Sequence, residues 1–291
     1  MVLSLMVLYI GLRGIAINQS LKDVKKDIQQ FKPRNILMVP LMIESFYKQI
    51  LIAAKGSDDK ELLQKIAALA LGGNLTTIAS GGAPLNKKYI EHFRRLGITV
   101  LEGYGITECS PVVSVNRNNY YRDGSVGQVI PGCEIQILHP DENGCGEICI
   151  KGDTIMLGYY NNQQATEESF DNGWFKTGDI GALDEDGFLF ISGRKKNLII
   201  LANGKNIYPE ELESILLNNI SYIKEVMVYA EDNLIVAEVF LSEEIPICID
   251  RLHEDILILN KSLALHKNIG KTVVRDIEFP KTTTKKIKRK Q

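Results

Sequence analysis

The chain has 291 residues, 45% of them hydrophobic and 24% charged, an ordinary globular balance with room for about two domains of ~150 residues each. Its net charge of −2 hides an asymmetry: between Lys281 and Lys290 lie six basic side chains and no acid, and removing those six leaves −8 for the rest. An acidic body with its cations gathered at the end argues against a protein built to coat nucleic acid, which spreads basic residues over a face.

The apolar start, "MVLSLMVLYIGLRGIAI", is interrupted by Arg13 after about a dozen residues, too few for a membrane span of ~20. It lacks a basic n-region and an A-x-A site, so no signal peptide is expected. A buried core segment is expected there, and an apolar start with no polar loop before it suggests that something upstream is missing. "SLKDVKKDIQQFKP" predicts a helix capped by Ser20, with Asp23 at capping-box spacing. Leu21, Val24, Ile28 and Phe31 share its apolar face, and Pro33 ends it. "DDKELLQKIAALALGG" predicts a second helix, with Asp58 and Glu61 at its start and Gly72 at its end. A short β run, "LTTIASGGAP", follows. Pro84 then opens a helix with Leu85, Tyr89, Phe93 and Leu96 on one side, stopped by Gly97. "ITVLEGYG" is the next strand, and a strand–helix–strand unit implies two parallel strands.

Residues 125–195 change character: "CEIQILH", "GEICIKG" and "GFLFISG" alternate with Gly, Asp and Asn turns, as in a small barrel or sandwich. A third pattern fills 196–291. Pro209 starts a helix with Leu212, Ile215 and Leu216 inward, and a hairpin turns around Glu231–Asn233. A helix through Leu252, Ile256, Leu259 and Leu263 and a strand "TVVRDIEF" complete a compact α+β unit. The five cysteines, Cys109, Cys133, Cys145, Cys149 and Cys248, contain no C-x-x-C pair, and with four scattered histidines they form no metal set. Reduced thiols in a cytosolic protein are the simplest reading.

Ligands of an open parallel sheet bind at the carboxyl ends of its strands. Two unusual loops fall there: Gly81-Gly82-Ala83, and "EGYGITE" with Gly103, Tyr104, Gly105, Thr107 and Glu108. Glycine lets backbone approach a flat or anionic ligand, Tyr104 offers a stacking face, Thr107 a hydroxyl and Glu108 an oxygen ligand for a hard cation such as Mg2+. The competing structural reading is two tight turns whose glycines supply φ > 0. In "DNGWFKTGDIGALDEDGFLFISGRKK", Asp179 can accept two hydrogen bonds from a ribose diol and Arg194 can donate to the same sugar. Asp184–Gly187 reads simply as a hairpin turn.

"GGAP", "YGITE", "GWFKTGD", "GRKKN", "NGKNIYPEELE" and "PKTTTKKIKR" stand in the order seen in AMP-forming acyl-CoA synthetases. From about residue 20 onward the chain resembles the bacterial long-chain fatty-acid–CoA ligases of that adenylate-forming superfamily. The resemblance implies a C-terminal portion with three parts: a partial parallel α/β subdomain over 1–124, a β-barrel-like subdomain over 125–195, and a mobile α+β domain over 196–291. It implies ATP-dependent activation of a fatty acid to acyl-AMP, then thioester formation with coenzyme A. Gly81, Gly82 and Ala83 would line adenine with Tyr104, Gly103 and Gly105 forming the same loop. Thr107 would touch phosphate, Glu108 would hold Mg2+, and Asp179 and Arg194 would hold ribose. Lys196 matches the hinge, and Gly204, Lys205 and Asn206 match the loop facing adenylate and CoA. Lys286 matches the lysine that contacts carboxylate and α-phosphate, while Lys285 stands where the family usually has glycine. The other tail cations read as a solvated end.

The resemblance has one large gap. The Ser/Thr/Gly-rich loop ending in Pro-Lys-Gly, which wraps the ATP phosphates in the family, is absent from this sequence. Three readings therefore stand: a truncated ligase; a nucleotide-binding remnant or half of a split ligase whose upstream half is another polypeptide; and a protein whose basic tail grips nucleic acid or anionic lipid. The ordered motifs favour the first two. They imply fatty acid, ATP and CoA as partners, no nucleic acid, and a cytoplasmic location, with peripheral membrane contact left open.

Overall fold

A computed structural model of the chain describes residues 14–18, 20, 22–202, 204–242, 249–282 and 287–289. They fall into two compact units. One runs to Thr177 and takes in Ala182–Ile191; the other comprises Gly178–Gly181 and the chain from Ser192 onward.

The first unit opens with α1 (Val24–Phe31), β1 (Asn35–Met38), α2 (Pro40–Ala53) and α3 (Lys60–Ala70). It continues through β2 (Thr77–Ser80), α4 (Lys87–Arg95), β3 (Thr99–Gly105), β4 (Val112–Val115) and β5 (Gln128–Val129). The strands form one sheet in the order β1-β2-β3-β4-β5. β1, β2 and β3 are parallel, in a register that aligns Ile36, Ile78 and Val100, while β4 and β5 return antiparallel. Ile78 and Val100 point into a core with Ile43, Phe46 and Ile50 of α2, Ala67 of α3 and Phe93 of α4. Burying side chains such as Phe93 and Ile43, both fully covered, contributes about 1.5–3 kcal/mol each.

Local starts and stops differ from the sequence expectation in instructive ways. Ser20 does not cap α1. Its hydroxyl accepts from the Lys22 N–H in a turn of its own, and the helix begins at Val24 after Asp23, whose side chain makes no cap bond. Val24 and Ile28 are buried as expected, but Phe31 is 55% exposed at the helix end, where the chain leaves through Lys32 in the left-handed conformation. Leu21 lies outside the described residues. Asp59, not Asp58, caps α3 by accepting from the Leu62 N–H at 2.7 Å, while Asp58 pairs with Arg95. Pro84 does not open α4. Asn86 does, accepting from the Lys88 N–H, because an amide side chain satisfies an orphan donor that proline cannot. Leu85, Tyr89, Phe93 and Leu96 are all buried as the periodicity required.

The second sheet comprises β6 (Cys133–Leu138), β7 (Gly146–Gly152), β8 (Phe170–Asp171), β9 (Trp174–Leu183) and β10 (Leu189–Arg194), with α5 (Gln163–Ser169) between β7 and β8. Its order is β10-β9-β7-β6 with β8 on β9, and it curls into a half-barrel. Ile148, Ile150, Phe175 and Leu189 pack with Cys109 and Val113. Asp184–Gly187 is indeed a turn: the Asp184 carboxylate accepts from the N–H groups of Asp186 and Phe188, and Gly187 takes φ +76°.

The second unit adds β11 (Ile199–Ile200), β12 (Asn206–Ile207), α6 (Pro209–Asn219), β13 (Ile223–Glu231), β14 (Leu234–Leu241), α7 (Ile249–Asn260) and β15 (Ile269–Arg275). β13 and β14 form an antiparallel hairpin turned at Asp232 and Asn233, both with positive φ, and β15 joins β14 in parallel. Leu212 and Leu216 of α6 and Leu252 and Ile256 of α7 pack with Val226, Val228, Ala237 and Val239 of the sheet. β15 starts at Ile269 and stops at Arg275, earlier than "TVVRDIEF" suggests. Phe279 instead leaves the sheet and is buried with Met227 and Phe240.

Candidate active site

The first group of candidate residues sits at the carboxyl ends of β2 and β3. Gly81-Gly82-Ala83 follows β2, with Gly81 half-buried and the other two exposed. A methyl group on Gly81 would lie 3.6 Å from the Gly103 carbonyl, so the two glycine loops lie side by side. Gly82 takes φ +85°, which favours glycine. Gly103 and Gly105 are glycines for another reason. Neither has positive φ; a Cβ on Gly105 would fall 1.9 Å from the Pro111 carbonyl oxygen, and one on Gly103 3.2 Å from that of Ser114. The turn-glycine reading of Gly103 and Gly105 therefore fails: the returning chain leaves Gly105 no room for a Cβ at Pro111 and leaves Gly103 a tight fit at Ser114.

Tyr104 packs beside the cluster of Cys109, Val113 and Ile148. Thr107–Cys109 form one 3-10 turn in which Thr107 is exposed, Glu108 half-buried and Cys109 fully buried. Burial pushes the Cys109 thiol up to about 12, so it is a neutral packing group and no nucleophile. The Glu108 carboxylate accepts from the Tyr159 hydroxyl at 3.2 Å. Among the described residues no group of three or more His, Cys, Asp or Glu could hold a metal. A single carboxylate still fits Mg2+, which binds through one or two carboxylates plus substrate phosphates and water.

Glu102 and Ser80 were not anticipated from sequence. They are register partners on β3 and β2, on the face that carries Ile78 and Val100. The Ser80 hydroxyl is buried with no hydrogen-bond partner. Burial raises the Glu102 carboxyl to about 7, against the opposing pull of the Leu85 N–H and Lys87. The one signal in the sequence was an acid embedded in an otherwise apolar strand just before Gly103.

The second group belongs to the other unit. Asp179 on β9 is only 4% exposed, and its Oδ1 lies 2.7 Å from Nε of Arg194 on β10, whose side chain is 47% exposed. The pair joins a buried carboxylate to a guanidinium that reaches the surface. Lys196 is exposed in the 3-10 turn Lys195–Asn197. Glu210 of α6 braces this segment: its Oε1 accepts from the Asn197 amide at 2.5 Å, and a Cβ on Gly193 would meet its Oε2 at 2.5 Å. Gly204, with φ +75°, and Lys205 and Asn206 lie in the β11–β12 hairpin, where Leu201 accepts from the Gly204 N–H.

Lys285 and Lys286 lie outside the described residues, as does Cys248. Of the other tail cations, Lys281 and Arg289 depart from the solvated reading, while Lys288 is exposed. Arg289 places Nη2 2.7 Å from both Glu213 oxygens and donates from Nη1 to the Val228 carbonyl at 3.0 Å. Lys281 pairs with Glu225 and, at 2.9 Å, with Glu278. The acidic body supplies sockets for these cations.

The AMP-binding enzyme family profile matches residues 1–160, more than half of the chain. The chain belongs to the AMP-binding enzyme family. It is 43% identical over 167 residues to the long-chain-fatty-acid–CoA ligase FadD15 of Mycobacterium bovis, an alignment covering 57% of this chain and 27% of that protein. A long-chain-fatty-acid–CoA ligase of Salmonella typhimurium is 43% identical over 155 residues, covering 51% of this chain and 27% of the relative. The O-succinylbenzoate coenzyme A synthetase of Bacillus subtilis, solved with ATP and magnesium ion, superposes with a TM-score of 0.74 at 30% identity, over 92% of this chain and 53% of that one. The same synthetase has been solved with AMP and with its acyl-adenylate OSB-AMP. The chain thus spans about half the length of that synthetase, and by family it groups with the acid–thiol ligases. No helix among the described residues is long and apolar enough to cross a membrane.

Proposed function

We propose that this chain is the adenylate-handling portion of a long-chain fatty-acid–CoA ligase. The observation that carries the reading is the buried Asp179 paired with the exposed Arg194, in a chain that superposes over 92% of its length on a synthetase solved with ATP. In this reading Asp179 and Arg194 hold the ribose, and Gly81, Gly82, Ala83, Gly103, Tyr104 and Gly105 line the adenine. Thr107 contacts phosphate and Glu108 would hold Mg2+, which neutralises phosphate charge when bound. Lys286 brings the fatty-acid carboxylate to the α-phosphate, the carboxylate oxygen attacks that phosphorus, and pyrophosphate leaves. The CoA thiolate then displaces AMP, with Gly204, Lys205 and Asn206 facing the reactants after rotation of 196–291 about Lys196.

Because the sequence holds no Ser/Thr/Gly-rich phosphate loop, the chain by itself binds AMP or an acyl-adenylate analogue but does not release pyrophosphate. An upstream-half polypeptide would restore turnover. Calorimetry with AMP tests the first statement, and Asp179→Ala is expected to weaken binding by ~1–3 kcal/mol. Unchanged affinity in that variant refutes the ribose assignment. Pyrophosphate release from ATP and palmitate by the purified chain refutes the claim of inactivity.

A further inference from the structure

We propose that Tyr159 is a positioning residue that sets the Glu108 carboxylate for a divalent cation; this rests on the reading of Glu108 as the cation's ligand. Glu108 is gripped twice by one loop. Its backbone carbonyl accepts from the Met156 N–H at 2.7 Å, and its Oε1 accepts from the Tyr159 hydroxyl at 3.2 Å. The loop is itself fixed. The Tyr159 N–H donates to the Thr166 hydroxyl at 2.9 Å, and that hydroxyl donates to the Asn162 carbonyl at 2.9 Å. Gly158 has no room for a side chain, since a Cβ there would fall 2.8 Å from the Thr166 methyl.

A glutamate has three rotatable bonds, and ordering it at the moment of binding costs entropy. The phenol takes a lone pair of Oε1 and restricts the carboxylate that would hold the cation. An outer partner that orients a ligating group commonly contributes to metal affinity without touching the metal. Here the orienting group comes from a loop some fifty residues further along the chain. Packing alone would need only the ring of Tyr159; positioning needs its hydroxyl.

The test titrates the full chain with Mn2+, an EPR-visible substitute for Mg2+, with and without ATP, and measures AMP affinity by calorimetry. Tyr159→Phe is expected to weaken Mn2+ binding in the presence of ATP roughly ten- to a hundredfold, the usual cost of losing an outer partner of a ligating group, while AMP affinity is unchanged. Glu108→Gln should abolish the coupling between Mn2+ and ATP. Intact AMP binding by both variants shows that they fold. If Tyr159→Phe couples Mn2+ to ATP as well as the wild type while Glu108→Gln does not, the positioning role is refuted and the metal reading of Glu108 stands. If Glu108→Gln also retains the coupling, or the wild type shows none, the metal reading falls and this inference with it.

Discussion

Glu102 makes stability depend on pH in a direction opposite to that of most carboxylates. Its carboxyl, raised to about 7 from 4.5 by burial, keeps its proton in the folded protein where the unfolded chain has already released it. Stability from this group is complete below about pH 4.5 and is lost as pH rises through about 7. The distance between the two values, at about 1.4 kcal/mol per pH unit, amounts to roughly 3 kcal/mol. Glu102→Gln has nearly the same shape and cannot ionise, so it removes the dependence. Trp174, the single tryptophan, lies in the same unit as Glu102 and reports its unfolding. Urea unfolding followed by Trp174 fluorescence should show the wild type losing roughly 3 kcal/mol relative to Glu102→Gln between about pH 5 and about pH 8.5. Equal pH dependence in the two proteins would refute the assignment and mean that Glu102 is ionised in the fold.

Arg289→Ala should destabilise the C-terminal unit by ~1–3 kcal/mol, because it strands the largely buried Glu213, already raised to about 7 by burial. Hydrogen exchange at the Val228 amide, which donates to Glu213, would show the loss, and adding Glu213→Gln should recover part of it. Gly105→Ala places a methyl 1.9 Å from the Pro111 carbonyl and should cost at least ~3 kcal/mol, whereas Gly132→Ala, at φ +86° with open space around it, should cost about 1 kcal/mol by thermal unfolding. With the N-terminal half of a relative fused upstream, Lys286→Ala should lower acyl-AMP formation by orders of magnitude and spare thioester formation from pre-made acyl-AMP; equal loss of both half-reactions would count against its role.

What could be read from sequence was whatever depended on neighbours along the chain. The β2–α4–β3 unit was legible because Leu85, Tyr89, Phe93 and Leu96 repeat at helical spacing between two β runs, and all four are buried. The hairpin at Asp232-Asn233 was legible because those residue types tolerate positive φ. Three helix starts were misread by one to three residues because several polar side chains stood near each, and only the backbone geometry decides which one reaches an orphan N–H. Glycines misled in a different way. Gly103 and Gly105 stand in a motif that reads as a tight turn, yet their reason is the chain that returns through Pro111 and Val112, and nothing local announces it.

The tail shows the same limit most clearly. Six cations without an acid look solvated when read as a segment. Arg289 nevertheless finds Glu213, 76 residues earlier, and Lys281 finds Glu225 across the sheet. A charged run is solvated only if no opposite charge is folded against it, and that condition is tertiary. Because the acids that fill these sockets lie on α6 and β13, both in the C-terminal unit, the chain on either side of Lys286 is tied to that unit. In the proposed rotation of 196–291 these ion pairs keep Lys281 and Arg289 on the moving body.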